Sequence, residues 1–126
     1  IPGVETRLPI LFSEGVSKGR IDINRFVALT STNHAKTTAF TAQGDDAIGS
    51  DADIVIWDPE RHVTITQEIL HHGADYTPYE GFEVKGWPML TMVRGRVVVN
   101  DGKLVGSPNL GLHIARSRRE KPYAAN

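Results

Sequence analysis

Val93-Arg94-Gly95-Arg96-Val97-Val98-Val99-Asn100-Asp101-Gly102-Lys103-Leu104-Val105 is the stretch on which the fold turns. Its β-branched residues favour a pleated, half-buried strand. Gly95 interrupts the first run, so the spacing predicts a strand broken there by a tight turn or bulge. Asp101-Gly102 predicts a hairpin, because a type I′ turn needs positive φ at both central residues. Leu104-Val105 then returns as a short strand. The β pattern extends upstream to Asp53: Ile54-Val55-Ile56-Trp57 reads as a strand closed by Asp58-Pro59, and His62 to Thr66 alternates with Val63 and Ile65 on one face.

Ahead of Asp53 the period is helical. Leu8, Leu11 and Phe12 fall near helical spacing between Val4 and Glu14, with Pro9 predicting a short or broken helix and Gly15 its stop. Asp22 is placed to cap a second helix with Ile23, Phe26 and Val27 on one apolar face. Thr32 or Asn33 is the expected cap of a third segment running towards Phe40, and Thr41 to Gly49 reads as a polar link. The expected architecture is therefore helices first, then four or five short strands. These helices find no partner strand among themselves, and the sheet has open edges. The missing cover is expected from more chain or from another subunit, and the start at Ile1 rather than Met is read as that of a fragment.

Composition narrows the chemistry. The 126 residues fit one domain, with 14 Lys plus Arg against 15 Asp plus Glu and a net charge of −1. That balance argues against a nucleic-acid or anionic-membrane partner. The absence of Cys excludes disulfides, thiolate metal sites and a cysteine nucleophile. No run approaches a membrane span, no signal-peptide core opens the chain, and the expected location is cytoplasmic.

The five histidines lack chelating spacing: His71-His72 is vicinal, and His34, His62 and His113 are scattered. Asp45, Asp46, Asp51 and Asp53 lack the closing Glu of a calcium loop and read as loop and cap residues. Ser31 and Ser50 lie in no Gly-x-Ser-x-Gly frame. Lys36 follows Asn33-His34-Ala35, read as a solvated helix start. The tail from Arg116 to Lys121 is basic, and Tyr76, Tyr79, Phe82 and Trp87 form an aromatic loop read from composition as a packed plug.

Asp75-Tyr76-Thr77-Pro78-Tyr79-Glu80-Gly81 with Val84-Lys85-Gly86-Trp87-Pro88 resembles a late segment of the D-hydantoinase and dihydropyrimidinase family. Gly3-Val4-Glu5-Thr6-Arg7-Leu8-Pro9 resembles the stretch after that family's last metal-binding segment. Ala28 to Asn33 with Ala35-Lys36 resembles its next helix, and Gly49 to Asp58 its return to the β-domain. Val93-x-Gly95 with Val98 to Gly102 is shared more widely among amidohydrolases.

The resemblance implies an α+β fragment: the last helices of a (β/α)8 metallohydrolase barrel in 1–44, the C-terminal strands of a small β-sandwich in 45–110 with the aromatic loop 75–88, and a subunit-contacting tail in 111–126. It implies hydrolytic opening of hydantoin or dihydropyrimidine rings by a hydroxide bridging two zinc ions per subunit, with all metal ligands upstream of Ile1. None of this chain's histidines is then a ligand and none of its residues catalytic. Pro2, Gly3 and Glu5 are implied to lie beside the substrate. The implied partners are a small cyclic amide, the rest of the barrel and further copies in a homo-oligomer, a dimer or tetramer, with no nucleic acid or membrane. The alternative is a non-catalytic β-rich oligomerisation module, or a metal-free relative of the same family. The fragment alone is expected to bind no stoichiometric zinc and to open no ring.

Overall fold

The structure, a computed structural model, describes residues 2–38 and 48–114. Phe40, most of the link 41–49 with Asp45 and Asp46, the boundary at 44/45 and the basic tail from Arg116 to Lys121 lie outside the described residues.

The helical expectation holds with three corrections. Helix α1 (Arg7–Leu11) tolerates Pro9 because a first-turn residue has no intrahelical donor role to lose. The helix does not stop at Gly15 but widens into a π-helical segment over Phe12–Ser17, and beyond its end Arg20 N–H reaches the Gly15 carbonyl at 2.8 Å. Gly19, at φ +68°, ends it, as a left-handed residue just past a helix end does.

The second correction concerns the third segment. Asp22 does cap α2 (Ile23–Val27), its carboxylate accepting from Arg25 N–H at 2.7 Å. That helix then runs on through π-helical Ala28–Thr32 into α3 (Asn33–Thr38). Asn33 has helical backbone angles, so no new helix starts there, and Asn33-His34-Ala35 offers no free N-terminus to an anion. The third correction is the apolar face of α2: Phe26 is buried, while Ile23 and Val27 are exposed.

The sheet is an antiparallel meander in the order β1-β2-β3-β4, formed by β1 (Ile54–Thr64), β2 (Glu83–Val93), β3 (Arg96–Asn100) and β4 (Lys103–Leu104). Two of its strands are long rather than short. Asp58-Pro59 does not close a strand: the pairing slips between Asp58 and His62, and one bulged strand continues on both sides. A bulge satisfies Pro's missing donor as well as a strand end would. Arg94-Gly95 and Asp101-Gly102 both have positive φ at successive residues, so each is a tight hairpin turn.

Helix α1 and its π-helical extension do find a partner strand, namely β2. Ser13 Oγ accepts from Lys85 N–H at 3.0 Å, and Ser17 Oγ donates to the Lys85 carbonyl at 2.9 Å. Beside this junction the Phe12 ring lies 5.4 Å from Phe26 and 4.9 Å from Trp57, centroid to centroid. Gly86 makes room for it. Its φ is +100°, and a Cβ there would sit 2.3 Å from Phe12 Cδ1. A second core gathers Ile65, Leu70, Val84 and Trp87, flanked by Ile10 and Val63.

Candidate functional site

The loop from Pro2 to Thr6 enters α1 and is tied down at Gly3, Glu5 and Thr6. Thr6 is fully buried, and its hydroxyl donates to the Gly3 carbonyl at 3.2 Å. Gly3 sits at φ +123° against the Tyr79 ring, a conformation that favours glycine. Glu5 is held hardest. One carboxylate oxygen accepts from His71 backbone N–H at 2.8 Å, and the other lies 2.8 Å from His71 Nδ1.

His71 continues the link on its far side, where Nε2 lies 3.0 Å from the Gly102 carbonyl. Both partners are acceptors, so both contacts are hydrogen bonds together only when both ring nitrogens carry protons. The hydrogen bond to Glu5 raises the His71 pKa, the Glu5 charge adds to it, and partial burial opposes both. Three segments distant in sequence thus meet at one side chain: the entry loop, the segment after Leu70 and the β3–β4 turn.

That turn is itself anchored. Arg61 donates to Asp101 at 2.6 Å, and this guanidinium holds the Asp101 carboxyl below its usual range, first by the hydrogen bond and then by its charge.

Pro2, Gly3, Arg7, Leu11, Glu14 and Tyr79 line a shallow hollow of about 510 Å³ beside the loop. The structure therefore brings Pro2 and Gly3 to one concave surface, and commits the Glu5 carboxylate to His71. The aromatic loop is not a plug within this chain. Tyr76 is 59% exposed, Tyr79 and Phe82 are more than a third exposed, and only Trp87 of the four is buried. The loop is nevertheless ordered: buried Thr77 accepts from Tyr79 N–H, Glu80 accepts from Gln67 N–H, and Gly81 N–H reaches the Ile65 carbonyl.

The vicinal histidines diverge. His72 Nδ1 accepts from Ala74 N–H, and its Nε2 is shielded without a partner among the described residues. His34, His62 and His113 are exposed. Asp53 accepts from Arg94 N–H at 2.8 Å, closing the first hairpin as a cap residue does. Among the described residues no three His, Asp or Glu side chains gather to hold a metal ion, so these residues do not by themselves fit a zinc centre. Nor is any described helix long and apolar enough to cross a membrane.

The pairing of Glu5 with His71 was not foreseeable from local pattern. The two residues are 66 positions apart, and the only local mark was the His-His dipeptide.

Helices laid on a bulged antiparallel ribbon, with an entry loop pinned beneath the aromatic turn, define an α+β unit of known type. No family model matches the chain. It superposes on a solved D-hydantoinase structure with a TM-score of 0.87 and 46% identity, covering 91% of this chain and 25% of that one. A D-hydantoinase of Ralstonia pickettii is 45% identical over 118 residues, 93% of this chain and 26% of the relative. A dihydropyrimidinase of Rattus norvegicus is 46% identical over 125 residues, 98% of this chain and 23% of the relative. Over nearly its whole length the chain is similar to D-hydantoinases and dihydropyrimidinases, and it spans about a quarter of the length of these relatives.

Proposed function

We propose that this chain is the C-terminal part of a zinc-dependent cyclic amidohydrolase that opens hydantoin or dihydropyrimidine rings. The observation that carries the reading is the likeness to hydantoinases and dihydropyrimidinases, sustained through helices, ribbon and turns alike. In this proposal α1 to α3 are the last helices of a (β/α)8 barrel, and the strands from β1 onward are the C-terminal strands of a small sandwich. The boundaries are 1–44, 45–110 and a subunit-contacting tail at 111–126.

The zinc ions, two per subunit, would be held by residues outside this chain, as the likeness to hydantoinases implies. What the chain contributes to the reaction is the loop Pro2, Gly3 and Glu5 at the substrate's edge. Its backbone would be held in place from behind by Thr6, Tyr79 and His71. A preset loop lowers the entropy that substrate binding must otherwise oppose. The assembly proposed is a cytoplasmic homo-oligomer, a dimer or tetramer, with no nucleic-acid or membrane partner.

The test is a ring-opening assay on the full-length protein that carries this chain, reconstituted with zinc and offered hydantoin and dihydrouracil. Release of the open carbamoyl product from at least one ring is the expected result. A folded, zinc-loaded protein that opens neither would sink the proposal.

A further inference from the structure

Glu5 lies in the loop assigned to the substrate's edge, yet each of its carboxylate oxygens already has a partner within the chain. Both are taken by one residue, through its backbone N–H and its Nδ1 at 2.8 Å each. The same ring reaches the β3–β4 turn at 3.0 Å. A side chain that only capped its own loop would need one of these contacts. Three contacts from one residue to two distant segments make a strut, and the loop end of that strut is the backbone from Gly3 to Thr6.

We infer that His71 is a positioning residue of this protein: it acts through Glu5 to hold the Pro2–Glu5 loop in its working geometry against the β3–β4 turn. The inference rests on the proposed placement of that loop beside the substrate. His71 touches no reacting atom in this account.

The strut is complete only while both ring nitrogens carry protons, because Glu5 and the Gly102 carbonyl are both acceptors. Glu5 and the Gly102 carbonyl favour that state, and partial burial opposes it. Glu5 faces it from the entry loop. On the turn, Asp101 and Lys103 flank Gly102, and Asp101 is itself bound by Arg61 of β1. On its own segment the titratable residues nearest in sequence are His72, Glu68 and Asp75, and His72 Nδ1 is engaged by Ala74 N–H. The raised His71 pKa means that the strut holds at low pH and loosens as pH climbs through that value.

The experiment compares the full-length, zinc-loaded protein with His71→Ala, Glu5→Ala and the double variant, using hydantoin or dihydrouracil as substrate. Glu60→Gln, which breaks the exposed ion pair to Lys85, serves as a control for loss of a surface contact. Each single variant is expected to raise KM about five-fold or more with kcat changed less than about two-fold. The double variant should match the singles, because both remove one strut. The KM of the unsubstituted protein should rise with pH through the His71 titration, and that of His71→Ala should not.

Hydrogen exchange supplies a readout independent of activity: the amides of residues 4–6 should exchange about ten-fold faster in His71→Ala and unchanged in Glu60→Gln. Unchanged exchange at 4–6, an unchanged KM, or singles whose effects multiply in the double variant would each overturn the inference. If the unsubstituted protein opens neither ring, the ring-opening proposal fails by itself, and the exchange experiment still decides whether His71 sets this loop.

Discussion

The two ends of the β1–β2 ribbon are built from the same strands and live in different surroundings. At one end Trp57 lies under Phe12 and Phe26, and Val84 and Trp87 are buried with Ile65 and Leu70. At the other end Ile54, Val55 and Ile56 are 43%, 45% and 52% exposed. Successive strand residues point to opposite faces, so both faces of that end are open. A run of three large aliphatics with both faces open is a strand written for cover on two sides. The helices supply cover at the first end, and the described residues supply little at the second. That asymmetry fits a chain a quarter the length of its relatives, and it explains why the sequence reads as globular while much of its apolar surface stays exposed.

The comparison can be broken most forcefully at the covered end. Phe12→Ala removes the ring shared by both neighbouring aromatics and should cost about 3–5 kcal/mol, read from a denaturant titration. Gly86→Ala should cost about 2–4 kcal/mol, since the new Cβ meets Phe12 and the backbone is left-handed. Combining the two should cost less than the sum of the singles, because the missing ring vacates the space the new methyl needs. Additive costs would mean that Gly86 is fixed by its backbone angle rather than by Phe12.

The open end gives a smaller and more telling effect. Ile56→Ser should change the stability of this chain by under about 1 kcal/mol, as exposed substitutions do. In the longer protein the same change should cost about 2–3 kcal/mol, the value for a buried Ile. Equal small costs in both would show that nothing covers the strand. Smallest of all is His71→Ala. The folded pKa of His71 is raised above its ordinary value of 6.5. Its stabilisation is therefore fully present below that value and lost as pH rises through the folded pKa. The melting temperatures of the two proteins should differ slightly at pH 5 and converge at high pH.

Much of the ribbon was legible because its signals are local. Asp101-Gly102 and Arg94-Gly95 carry their turn geometry in two residues, and Asp22 carries its cap in one side chain. Gly15 and Asn33 misled for the opposite reason. Each is a common helix boundary residue, and each is held inside a helix by packing or by backbone continuity that no window of sequence records. Gly15 has Ile21 closing over it at 3.0 Å from a hypothetical Cβ. Asp58-Pro59 looked like a strand end because a bulge and an end share the same residues. The site was the least legible part. Glu5 and His71 are joined by tertiary structure alone, and the family likeness pointed to the loop without pointing to its strut.

The most direct test of the central claim is the subunit mass and metal content of the protein purified from its natural source. The account predicts a subunit about four times the 13.9 kDa of this chain, carrying about two metal ions. A subunit of 13.9 kDa without bound metal, folded and stable by itself, would contradict it.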